Sequence, residues 1–195
     1  MTERKGLLPI VNKETGCFVH REIQKDSNYL IHRLKGISKS NPILADYMLH
    51  FSRGNINPNL TLYPGIVVYN LLEKTCRLPV VTNDALDAVK NDLFTVDNYV
   101  SKIVKNLQED NLYIANFLCE YALSTSDPVI AAYGGVLVYE SLEKQVELNI
   151  SVKRPKTWKF LTQLRFAIKE ERYEDAAKLR DEINKTNEPL VSHKG

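Results

Sequence analysis

Residues 58–74, PNLTLYPGIVVYNLLEK, and residues 128–144, PVIAAYGGVLVYESLEK, are the same sentence written twice. Pro58 falls on Pro128 and Tyr63 on Tyr133. Gly65-Ile66-Val67-Val68-Tyr69 falls on Gly135-Val136-Leu137-Val138-Tyr139, and Leu72-Glu73-Lys74 on Leu142-Glu143-Lys144. The shift is 70 positions, and it holds without a gap on either side. Asn28-Tyr29 meets Asn98-Tyr99, Lys35 meets Lys105, Ala45 meets Ala115, Tyr47 meets Phe117 and Leu78 meets Leu148. A fixed period across this length is the mark of an internal duplication.

Each copy reads as three helices. The first covers 27–37 and 97–108, with apolar Tyr29, Leu30 and Leu34 in one and Tyr99, Val100, Ile103, Val104 and Leu107 in the other. Their spacing of three and four marks an amphipathic helix. The second covers 42–53 and 112–124, after cap candidates Asn41, followed by Pro42, and Asn111. The third covers 59–76 and 128–147, opened by Asn57-Pro58 and Asp127-Pro128. The third helix is the most apolar of each copy, which predicts a central place. Gly65 and Gly135 lie inside it, where glycine costs roughly 1 kcal/mol against alanine. Their recurrence predicts a close crossing of the two third helices around a pseudo-twofold axis. The fold class expected is all-α: a duplicated three-helix repeat followed by a C-terminal helical hairpin.

The chain then divides into an N-terminal segment 1–24, repeat 1 at 25–78, a linker at 79–94, repeat 2 at 95–150, a hairpin at 155–186 and a tail at 187–195. In the first segment, Leu7–Val11 and Thr15–Val19 suggest an extended pair or a strap across the helices. Thr82-Asn83-Asp84 can cap a short linking helix through Leu93. Asn149–Pro155 is rich in β-branched residues and ends in proline, which predicts a linker.

The hairpin is FLTQLRFAIKEERYEDAAKLRDEI, residues 160–183. One apolar stripe runs through Phe160, Leu161, Leu164 and Ile168, and a second through Tyr173, Ala176, Ala177, Leu179 and Ile183. The polar stretch Lys169–Arg172 lies between them as a turn. Small Ala176 and Ala177 let a partner helix approach closely. The string from Leu164 through Ala167-Ile168, Glu171, Tyr173-Glu174, Ala176-Ala177 and Leu179-Arg180-Asp181 to Ile183 resembles the UVR motif. That motif is a helical hairpin first known from the UvrB and UvrC proteins of bacterial nucleotide excision repair. It also occurs in Clp-type ATPases, in their kinase-associated partners and in small bacterial proteins. The resemblance covers about the last fifth of the chain and implies a contact role. On it, Leu164, Ile168, Tyr173, Ala177, Leu179 and Ile183 would supply the apolar contact face, with Arg180 and Asp181 as a polar pair. The partner would be another protein, such as a UVR-motif or Clp/Uvr-type protein, or a second copy. The alternative is a hairpin that closes this protein's own core.

The remaining signals exclude more than they assign. The 195 residues are 44% hydrophobic and 26% charged, with a formal net charge of +2, too small to imply nucleic acid by itself. No apolar run approaches the ~20 residues that span a bilayer, and MTERKGLLPIVNKETG has no signal-peptide core. Cys17, Cys76 and Cys119 form no CxxC pair, which fits free thiols in a reducing cytoplasm. His20, His32, His50 and His193 show no zinc-ligand spacing, and phosphate and nucleophile motifs are absent. Glu73 and Glu143, or Tyr69 and Tyr139, could form a site if an axis brought them together; surface ion pairs explain the glutamates more simply. No enzyme, cofactor or metal is therefore expected. One local charge bias stands out. Lys153, Arg154, Lys156, Lys159, Arg165 and Lys169 lie together with Trp158 and no acidic residue. Such a stretch could follow phosphates and stack on a base, making nucleic acid, linked to DNA repair, the alternative partner. The simpler reading is a basic helix face that pairs with the acidic second arm of the hairpin, with Trp158 anchoring the hairpin on the helical body.

Overall fold

Proline and asparagine set where the helices begin. The computed structural model describes residues 6–55, 57–153, 174–175, 177–178 and 180–181, and among these the regular structure is eight α-helices with no strand. In chain order they are α1 (Lys13–Lys25), α2 (Tyr29–Ser40), α3 (Pro42–Arg53), α4 (Pro58–Glu73), α5 (Asn83–Thr95), α6 (Tyr99–Asp110), α7 (Leu112–Leu123) and α8 (Pro128–Lys153). Asn57 accepts a hydrogen bond from the Asn59 N–H, and Asp127 from that of Ile130. Each thereby satisfies a donor that the first turn leaves orphaned. The chain divides into two compact units, Met1–Leu148 and Asn149–Gly195.

Within the first unit α2, α3 and α4 pack on one another, as do α6 and α7, while α4 also meets α1 and α7. Ile66, Leu72 and Leu142 from the third helices are fully buried, with Leu44, Ile114 and Leu118 around them. Each such side chain contributes about 1.5–3 kcal/mol by leaving water.

Glycine explains how closely α4 and α8 approach. A Cβ on Gly134 would lie 1.8 Å from the Thr61 carbonyl oxygen. One on Gly65 would lie 2.9 Å from Met48 Cε, and one on Gly135 2.3 Å from Leu118 Cδ2. The close crossing expected from Gly65 and Gly135 is present, and Gly134 makes its tightest point. Pro64 sits inside α4 and cannot donate to the Leu60 carbonyl one turn back. The Tyr121 hydroxyl donates to that carbonyl instead, at 3.2 Å, so the acceptor that the proline strands is satisfied.

Many contacts come in pairs 70 residues apart. Phe51 stacks on Tyr133 with ring centroids 4.0 Å apart, and Tyr121 packs on Tyr63 at 5.2 Å. Gly65 faces Met48 and Val138; Gly135 faces Leu118 and Val68. Asn70 donates to the Tyr29 hydroxyl, and the Tyr99 hydroxyl donates to Glu140 at 2.8 Å.

Three expectations need correction. Residues 13–25 are not extended but form α1, capped where Asn12 accepts from the Thr15 N–H at 2.9 Å; only residues 6–12 run as a strap. α8 continues through Asn149–Lys153, where a linker was expected. β-branched Ile150 and Val152 cost a helix only tenths of a kcal/mol each, too little to end one already nucleated. Finally, Asn41 and Asn111 stand at N-cap positions but make no side-chain cap bond. Their amides are used elsewhere. Asn41 Oδ1 accepts from the Val81 N–H at 2.8 Å and its Nδ2 donates to the Pro79 carbonyl at 2.8 Å. Asn111 does the same to Val11 and Pro9, at 3.2 and 3.0 Å.

Candidate partner-binding module

Within residues 155–186, which the sequence reads as a hairpin, six positions are described. Glu174, Asp175, Ala177, Lys178, Arg180 and Asp181 are all helical. Glu174, Ala177, Lys178 and Asp181 are exposed, and their spacing of three, four and seven puts them on one helix face. Arg180 is exposed as well, and its guanidinium lies 3.4 Å from the Asp181 carboxylate. An ion pair this open to water contributes at most a few tenths of a kcal/mol.

Residues 162–186 match the family model described as the UvrB/uvrC motif. The match begins after Phe160 and Leu161 and covers the rest of the stretch that the sequence reads as a hairpin. No curated protein matches the chain, and no solved structure does. Of the eight contact residues read from the sequence, Ala177, Arg180 and Asp181 are described, helical and exposed. Leu164, Ile168, Tyr173, Leu179 and Ile183 lie within the UvrB/uvrC match but outside the described residues. Of the basic stretch, Lys153 falls in α8. Arg154, Lys156, Trp158, Lys159, Arg165 and Lys169 lie outside the described residues, and only Arg165 and Lys169 fall within the match.

The first unit keeps its chemistry-bearing side chains in separate surroundings. Glu73 pairs with Arg33, and Lys74 pairs with Glu22 at 3.1 Å while lying 4.7 Å over the Phe18 ring. The Tyr69 hydroxyl meets Ser40 Oγ at 3.1 Å. Glu143 is 7% exposed and accepts from the Leu7 N–H at 2.9 Å. Tyr139 and Glu143 share a cleft with Asp110 and Glu140, and neither Tyr69 nor Glu73 lines it. The pairing of Glu73 with Glu143, or Tyr69 with Tyr139, at one site is thus not what this cleft holds.

Burial, and then the charges of Glu143, Asp110 and Glu140, push the Tyr139 phenol far above its ordinary range. Its hydroxyl is buried without a hydrogen-bond partner. Sequence reasoning missed this cleft because Asp110 and Glu140 have no acidic counterpart 70 residues earlier, where Ser40 and Asn70 stand. Among the described residues, no group of His, Cys, Asp and Glu is arranged to hold a metal ion. Nor is any helix there long and apolar enough to cross a membrane.

Proposed function

We propose that this is a non-catalytic adaptor or regulator whose hairpin at 155–186 binds a helix or hairpin of another protein, or of a second copy. The match at 162–186 carries this reading, and the exposed Ala177 supports it. A small residue on an open helix face leaves room for a second helix to approach closely. The apolar stripe of Tyr173, Leu179 and Ile183 would supply the affinity, as in other helix-in-groove contacts, with Arg180 and Asp181 setting its edge. A cytoplasmic setting fits the three unpaired thiols.

The body would serve as the mount. We infer that it is a duplication whose halves are related by a pseudo-twofold axis. The unit repeated would be larger than three helices: Leu8-Pro9 and Val11 stand 70 positions before Leu78-Pro79 and Val81, and α1 stands 70 before α5. The paired contacts of Asn41 and Asn111 support that boundary.

The experiment is Leu179→Asp in the full chain. Loss of capture of a UVR-motif partner, or of self-association in sedimentation, with the unfolding midpoint unchanged, is the expected result. A collapse of the whole chain would mean that the hairpin belongs to the protein's own core.

The basic run Lys153–Lys169 with Trp158 supports a second reading, as a nucleic-acid contact. A salt titration separates the two. Phosphate contacts weaken by orders of magnitude between low and moderate salt, whereas an apolar hairpin contact barely changes.

A further inference from the structure

We propose that the pocket between α6, α7 and α8 takes up a medium-chain carboxylate, its apolar chain inside and its head on Lys105. Val100 and Val104 from α6, Leu118 and Ala122 from α7, and Ala132 from α8 form apolar walls. The space they enclose is about 270 Å³. An apolar cavity of about 150 Å³ accepts one benzene ring, so this one has room for an aliphatic chain of about ten carbons.

The room is made by particular residues. Leu30, Leu34, Leu49 and Leu62 stand 70 positions before Val100, Val104, Cys119 and Ala132. Leu30, Leu34 and Leu62 pack against the core of the first unit. Each of the four later residues is shorter, while Lys105 and Pro128 repeat Lys35 and Pro58 unchanged. The helical plan is kept and the filling is removed at one place. Apolar walls left to water forfeit the transfer free energy that a chain seated against them recovers.

The head group follows from one edge of the pocket. Ser101, Lys105 and Gln108 line it from α6, spaced four and then three residues apart, and all three are exposed. Lys105 is the only charged residue of the lining, and among the described residues it makes no ion pair. An ammonium, a hydroxyl and an amide can all donate, and a carboxylate accepts from all of them. A leucine from a protein partner would use the walls but leave this edge to water. An apolar interior with a few polar groups at its margin is the usual form of a small-molecule site.

The test is calorimetric titration of the full chain with hexanoate, octanoate, decanoate and dodecanoate. Affinity is expected to rise about fourfold per added methylene, the worth of one buried CH₂, and to level off near ten carbons. Lys105→Gln should weaken decanoate about tenfold, the effect of one lost charge-assisted bond, and leave decanol uptake unchanged. Val104→Leu/Ala132→Leu, which restores the residues of the first repeat, should abolish uptake of both with circular dichroism unchanged. A second readout needs no variant: decanoate should slow alkylation of Cys119, mapped by mass spectrometry, and not that of exposed Cys17. Affinity that ignores chain length, alkylation of Cys119 that ignores decanoate, or decanoate binding that survives in the refilled variant would overturn the proposal. So would a refilled variant that keeps decanoate and loses only the capture of a UVR-motif protein, which would give the pocket to a protein side chain.

Discussion

Asn111 holds Val11 across 100 residues of chain, accepting from its N–H at 3.2 Å while donating to the Pro9 carbonyl two residues earlier. Both Asn111 and Val11 are buried. A primary amide presents a donor and an acceptor side by side, which is the pattern an extended backbone offers in return. Asn41 treats Val81 and Pro79 identically, at 2.8 Å in both directions.

Replacing Asn111 by alanine leaves a buried backbone N–H and C=O without partners. The expected cost is about 2–4 kcal/mol, the desolvation penalty of two stranded groups. Asn111→Asp should recover only part of it, since a carboxylate accepts from Val11 but cannot donate to Pro9. Urea midpoints of the two variants decide the matter. Equal loss in both would mean that the acceptor half of the clamp contributes nothing.

Two glycines on helices should respond in opposite directions to alanine. At Gly134 the added Cβ meets a backbone oxygen at 1.8 Å, which α4 can relieve only by moving away. Gly134→Ala is therefore expected to destabilise by about 3 kcal/mol or more, at the upper end of overpacking costs. At Gly36 nothing lies within 4 Å of the new atom, and Gly36→Ala should stabilise by about 0.5–1 kcal/mol through helix propensity alone. Thermal melts that move the same way for both would contradict the crossing geometry.

How much of this was readable beforehand depends on the range of the interaction. Helices α2, α3, α6 and α7 lie within about two or three residues of the bounds read from the sequence, because their apolar periodicity and, for α3, the Asn41-Pro42 start are local signals. The glycine crossing was readable because it recurs. α1 was not. Its buried positions are Gly16 and Val19, and one of them is a glycine, so the expected apolar stripe is nearly blank. Gly16 is used instead for the approach of the Tyr113 ring, whose atoms a Cβ would meet at 1.9 Å. The clamps of Asn41 and Asn111 were read as caps for a related reason. Position in the sequence identifies an asparagine before a helix, but its actual partners lie 40 and 100 residues away. In the hairpin the reverse holds: the motif is a local pattern and was legible as such, matching 162–186.

Alkaline pH should expose the buried tyrosines. Burial pushes the Tyr29 phenol up to about 12 from an ordinary value of 10.0, against a smaller opposing effect from the Asn70 hydrogen bond. Tyr63 and Tyr121 are also raised by burial. A phenol whose folded-state value is raised is protonated more readily when folded than when unfolded. Its contribution is complete below pH 10 and is lost as pH climbs toward 12. Urea midpoints should hold level up to pH 10 and then fall. Tyr29→Phe should flatten part of that fall, and an unchanged slope in the variant would remove Tyr29 as a cause.

The hairpin reading makes its own demand on Ala177. This alanine is exposed, so a larger side chain there displaces nothing within the chain. Ala177→Arg should leave the unfolding midpoint within about 0.5 kcal/mol of the native value, as surface changes do. It should nevertheless abolish binding to a partner helix, because a guanidinium on a four-bond stem fills the space that the small residue keeps open. Sedimentation of the full chain and titration against a UVR-motif protein read the binding, and circular dichroism reads the fold. A variant that binds as before would show that the contact uses some other face of the arm, and would leave Leu179→Asp as the deciding substitution. A variant that unfolds would mean that the open face of Ala177 is covered by the protein itself, and the adaptor reading would then fail.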